Sequence, residues 1–118
     1  MRPVVYSTEL LKSFFSEHAI GTLPELKKAL GTDVSMTVFR KLRALSYRTS
    51  YSHRGSYYTL DEVARFNDNG LWFFQSVGFS VYGTLLKTVR ALVEKSESGL
   101  TAAELKLVVK VEVKEPLR

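Results

Sequence analysis

The side chains best placed to do chemistry in this chain are cations. From Val34 to Gly55 lie Arg40, Lys41, Arg43, Arg48 and Arg54 without one Asp or Glu, a local charge of +5. The whole chain has 17 basic and 12 acidic residues for a net +5, so everything outside that window sums to zero. Basicity focused in this way is the electrostatic footprint expected opposite phosphate, although a solvated helix face can also carry three positive charges by chance. The histidines add little to this set. His18 has no second histidine or carboxylate at ligand spacing on its helix and reads as a surface or helix-end residue. His53 stands beside Arg54 at the expected hairpin tip, where it could add a further contact.

The elements that must position these cations run from Thr22 to Leu60. Thr22-x-x-Glu25 is a capping box with Pro24 in the first turn, and Gly31 suits the left-handed residue that ends a helix, so a helix is expected from about Leu23 to Leu30. After the turn Gly31–Val34, Ser35 is expected to cap a third helix reaching about Ser46. Val38, Leu42 and Leu45, with Phe39 at the edge, fall on one face of that helix. Met36, Arg40 and Arg43 fall on the other. Residues 48–52 and 56–60 are rich in aromatic and β-branched types and flank His53-Arg54-Gly55, the pattern of a two-stranded hairpin whose tip projects free of the core.

This order of elements resembles the winged helix-turn-helix superfamily of bacterial regulators over roughly residues 5–60. The resemblance implies a role for each element: the 35–46 helix enters the major groove of duplex DNA, and the 48–60 hairpin lies along the backbone or in the minor groove as the wing. On that basis Ser35, Met36, Thr37, Arg40, Lys41, Arg43, Arg48, His53 and Arg54 are the expected DNA-binding residues. Arg40, Met36 and Thr37 would read bases, Ser35 would touch phosphate, and Arg54 would contact phosphate or the minor groove without regard to sequence.

Upstream, Ser7 is a plausible cap for a first helix carrying Leu10, Leu11, Phe14 and Phe15. Downstream, Thr59-x-x-Glu62 is another capping box, predicting a short helix from Asp61 to about Phe66 that Asn67–Gly70 then stops. Leu71–Phe74 and Val77–Tyr82 form the most aromatic piece, one or two extended segments serving a core or a subunit interface. Thr101-x-x-Glu104-Leu105-Lys106 then repeats Thr22-x-x-Glu25-Leu26-Lys27 at an offset of 79. The same offset lays Val89 on Leu10 and Val93 on Phe14, as two tandem copies of one unit would.

The second copy stops at Arg118, near the start of its own third helix, with Glu112 where Asp33 lies and Glu115 where Met36 lies, which puts acid at the groove-facing start of that helix. Either the chain is cut from a longer protein or naturally truncated, or the tail packs on the first domain or on a second subunit. Leu85, Val89, Val93, Leu105 and Val109 would then seek a partner, which points to a homodimer presenting two reading helices. The fold class expected is α+β, mostly helical, in three stretches. These are a winged helix-turn-helix over 1–60, a short helix and aromatic connector over 61–83, and an incomplete second helical repeat over 84–118.

Other classes find less support. Cysteine is absent, so a disulfide scaffold, a thiolate zinc site and a cysteine nucleophile are excluded. No GxSxG, phosphate loop or HExxH occurs, and the tyrosines lack the basic or metal-binding neighbours a nucleophile would need. No catalytic residue, metal or cofactor is expected. The amino terminus is too polar for a signal peptide and no apolar run reaches the ~20 residues of a membrane span, which makes a cytoplasmic protein the default. The expected function is sequence-specific binding of double-stranded DNA by a transcriptional or mobile-element regulator. The alternative is a protein-interaction scaffold or dimerisation module of the same shape, and a third option stacks single-stranded bases on Tyr51, Tyr57 and Tyr58.

Overall fold

Local capping signals place the first helices where the sequence predicts them. The computed structural model describes residues 7–96 and 99–110. Helix α1 (Thr8–His18) is capped by Ser7, whose Oγ accepts from the Glu9 N–H at 3.1 Å. Helix α2 (Leu23–Leu30) starts at the Thr22/Glu25 box, where the carboxylate accepts from the Thr22 N–H at 2.8 Å and from its hydroxyl at 3.0 Å. It ends at Gly31, which takes φ +85°. Helix α3 covers Ser35–Leu45, but its cap is Val34 rather than Ser35. Thr32 is the reason: its Oγ1 accepts from the Val34 N–H at 3.1 Å and holds the chain extended one residue before the expected start.

These helices belong to the first of two compact units, which takes in the chain up to Thr49 together with Ser56–Ala64. Its sheet has three antiparallel strands, β1 (Gly21–Thr22), β2 (Tyr47–Thr49) and β3 (Tyr57–Leu60), in the order β1-β3-β2. Strand β1 was not expected, since two residues carry no periodicity. Leu11, Phe15, Leu26, Leu30, Val38, Leu42 and Leu60 form the core. Each such side chain removed from water stabilises by about 1.5–3 kcal/mol.

The helix expected over residues 61–66 is a turn instead, in which the Val63 and Ala64 N–H groups both donate to the Leu60 carbonyl. Thr59 cannot act as its cap, because it is a fully buried position of β3 whose hydroxyl donates to the Ala19 carbonyl at 2.7 Å. A strand position, not a helix start, uses that hydroxyl.

The second unit joins Ser50–Gly55 to the described chain from Arg65 onward. Asn67 Oδ1 accepts from the Asn69 and Leu71 N–H groups and sets the turn that ends at Gly70. Strands β4 (Leu71–Phe74) and β5 (Val77–Ser80) pair as an antiparallel hairpin, in register Leu71 with Ser80 and Phe74 with Val77. Helices α4 (Leu85–Lys95) and α5 (Ala102–Val109) follow, capped by Thr84 and by the reciprocal Thr101/Glu104 box. The buried core is Tyr51, Leu71, Val89, Leu92, Leu105 and Val109, with Phe73, Leu85 and Val93 packed against it.

Of the apolar residues expected to seek a partner, Val89, Leu105 and Val109 are buried in one cluster with Tyr51 and Leu71, and Leu85 and Val93 pack against it partly buried. The internal repeat also has two offsets. Caps Thr22 and Thr101 stand 79 apart, but caps Ser7 and Thr84 stand 77 apart. Buried Leu11 and Phe15 therefore match Thr88 and Leu92, and not Leu10 and Phe14 with Val89 and Val93, because the link between the second pair of helices is two residues longer. Glu112, Glu115, Pro116 and the expected start of the second copy's third helix lie outside the described residues. Among the described residues the fold is α+β, about half helical, and no helix is long and apolar enough to cross a membrane.

Candidate nucleic-acid interface

Helix α3 is anchored on one side only. Val38 and Leu42 are fully buried, and Phe39 meets Tyr58 and Tyr47 at ring-centroid distances of 5.6 and 6.3 Å, which fixes the helix on strands β2 and β3. Burial pushes the Tyr58 phenol pKa up, and the neighbouring Tyr47 adds to the shift. The opposite face carries Met36, Arg40 and Arg43, all exposed, with Met36 at 74%. Ser35, Thr37 and Lys41 are half-buried at its flanks.

The electrostatics of that face are uncompensated. Among the described residues no carboxylate pairs with Arg40, Lys41 or Arg43. The first turn of α3 has no acidic residue and no side-chain cap, so its free amides add a positive end to the same surface. Arg48 differs. Its Nε donates to Asp61 Oδ1 at 2.7 Å, an ion pair made possible because Arg48 sits opposite Thr59 in the β2–β3 register. Asp61 lies just outside the acid-free window, so the sequence count missed it.

His53 and Arg54 belong to the second unit. Both are exposed, but the hairpin tip does not project free of a core as expected. Ser50, Tyr51 and Ser52 on its near side are buried at 4%, 9% and 4% exposure. The Tyr51 N–H donates to the Gly78 carbonyl at 2.9 Å and its hydroxyl to the Val109 carbonyl at 2.8 Å. Ser52 Oγ accepts from the Gly78 N–H at 2.9 Å and pairs with His53 Nδ1 at 2.8 Å. A Cβ on residue 78 would fall 2.6 Å from the Tyr51 ring, so only glycine permits this approach. His53, Arg54 and Gly55 then take φ of +51°, +56° and +68°, a left-handed turn that glycine adopts freely and the other two do not.

The same bonds remove Tyr51 from any stacking role: its ring is core, and burial holds its phenol pKa well above the ordinary value. Tyr58 is occupied by Phe39 and Tyr47. Sequence reasoning had no signal for Tyr51 beyond an aromatic residue in a hairpin. His18 lies at the exposed end of α1, against the Phe14 ring. Among the described residues no group of three His, Asp or Glu side chains is placed to hold a metal ion. No family model, no curated protein and no solved structure matches this chain.

Proposed function

We propose that the first unit is a winged helix that binds double-stranded DNA in a sequence-specific manner, with α3 as the reading helix, and that the protein acts without catalysis as a transcriptional or mobile-element regulator. One observation carries this reading. The core fully buries Val38 and Leu42 while the other face of α3 offers Arg40 and Arg43 with no carboxylate partner among the described residues. Cations held on a rigid helix, with one end of its macrodipole uncapped, suit a polyanion whose groove admits a helix. The element order α1-β1-α2-α3-β2-β3 and the sheet order β1-β3-β2 support the winged shape. Fold alone does not imply function, so the unpaired face and not the topology is the ground.

Arg40 and Arg43 take the reading role, with Ser35, Thr37 and Lys41 beside them. Arg48 steers through its ion pair with Asp61 and contributes less charge. A protein-interaction scaffold is the competing reading, favoured by Leu107 of α5, which is 79% exposed. Titration of a labelled random duplex against salt separates the two. DNA binding predicts affinity that falls steeply as salt rises, about one unit of log–log slope per phosphate neutralised. In selection from a random duplex pool, Arg40→Ala loses preference at one or two base pairs, about 1–3 kcal/mol of discrimination, while the fold stays intact. No binding at low salt, or an Arg40→Ala variant with unchanged affinity and preference, overturns the assignment.

A further inference from the structure

Met36 is unexplained by the fold. It is the second residue of α3, 74% exposed, and absent from the core that Val38, Phe39 and Leu42 join. Nothing about a helix start calls for it, since the first turn favours acidic and short polar side chains. A single exposed apolar residue is ordinary on a surface. What sets this one apart is its company. Arg40 and Arg43 follow at i+4 and i+7, so all three share one outward stripe, with half-buried Thr37 at its flank.

We propose that Met36 reads the C5-methyl group of a thymine in the major groove, one or two base pairs from a guanine taken by Arg40; the assignment rests on the DNA-binding reading of α3. Phosphates and the polar edges of bases offer nothing to a thioether. The thymine methyl is the apolar feature that the major groove presents among its donors and acceptors, and Arg40 and Arg43, which have no carboxylate partner among the described residues, bring the stripe to the duplex. An unbranched, polarisable side chain adapts to the shape of that contact. Side chains one helical turn apart have Cβ atoms about 5–6 Å apart, and base pairs rise about 3.4 Å, which gives the predicted spacing. Because uracil lacks the methyl, the same contact separates DNA from RNA.

The test uses the full chain and duplexes enriched from a random pool, each remade with deoxyuridine replacing thymidine. Wild type should bind the deoxyuridine form about fourfold more weakly for each methyl lost from the contact, the effect of burying one such group. Single replacements should trace the loss to a position within two base pairs of the guanine whose preference Arg40→Ala removes. Met36→Ala and Met36→Gln, which keep helix propensity and touch no core, should bind the two forms equally. Equal binding of both forms by wild type, with sequence preference retained, overturns the methyl contact and leaves the DNA-binding reading standing, as does a thymine effect that persists in Met36→Ala. Failure to bind any duplex overturns both.

Discussion

The molecule contains two helix pairs with like caps and equal helix lengths, and comparison of α1–α2 with α4–α5 shows which part of a fold local sequence can encode. Each pair begins at a hydroxyl cap, Ser7 or Thr84, and its second helix begins at a Thr-x-x-Glu box. Leu26 and Leu30 of α2 are buried, as are Leu105 and Val109 of α5. What the pairs pack against differs entirely. The first meets α3 and a three-stranded sheet, and the second meets Tyr51 and a two-stranded hairpin. Caps and apolar spacing thus specify a helix pair, while its partner is left to chain segments far away in sequence.

The sharpest test of this equivalence is to empty the same position twice. Leu26→Ala and Leu105→Ala each remove a fully buried side chain, so each should cost about 2–5 kcal/mol. Thermal or urea unfolding of the two variants measures it, and a cost for Leu105→Ala below about 1 kcal/mol would mean that the second pair is not packed as the first is.

The limits of the sequence reading follow the same division. The bounds of α2, the outward stripe of α3 and the Thr101/Glu104 box that starts α5 were legible because caps and 3.6-residue periodicity act within a few residues. Ser35 was misread as the cap of α3 because Thr32, three residues earlier, competes for the backbone. The helix expected after Leu60 failed because Thr59 finds Ala19, 40 residues away, and the Arg48 charge is offset by Asp61, 13 residues on and just past the end of β3. Tyr51 was the largest omission. Its contacts lie 27 and 58 residues ahead, at Gly78 and Val109, beyond the reach of any local pattern. The outward cations of α3 were legible in the sequence, but the absence of a carboxylate partner for them among the described residues was not.

Tyr51 also marks a difference between the pairs that can be removed with one atom. Its hydroxyl supplies a donor to the Val109 carbonyl at the end of α5, one of the acceptors that a helix C-terminus leaves open. Tyr51→Phe keeps the ring and deletes the donor, with an expected loss of about 1–3 kcal/mol. The pH dependence has a definite sign. Burial raises the folded-state pKa above the unfolded value of 10.0, so the protonated phenol's contribution is complete below pH 10 and is lost as pH rises beyond it. Tyr58, also raised, contributes in the same direction. Wild type should therefore lose stability above pH 10 more steeply than Tyr51→Phe, and identical alkaline profiles would show that the phenol is not held in the core.

The smallest effect concerns how the two helices end. Both α2 and α5 close on a left-handed residue, Gly31 at φ +85° and Lys110 at φ +59°, so one uses the residue type suited to the conformation and the other does not. An added Cβ at Gly31 meets nothing within 4 Å, which leaves backbone strain as the only cost of Gly31→Ala, about 1 kcal/mol. Lys110 is compensated by its ammonium, which lies 4.4 Å from the centroid of the Phe73 ring. That contact is worth about 0.5–1 kcal/mol at an exposed site, close to the strain it offsets. Lys110→Gly should accordingly leave stability almost unchanged, whereas Lys110→Ala, which keeps the strain and loses the cation, should cost about 0.5–1 kcal/mol. A clear gain from Lys110→Gly would show instead that the ring contact contributes nothing and that α5 simply ends on the wrong residue.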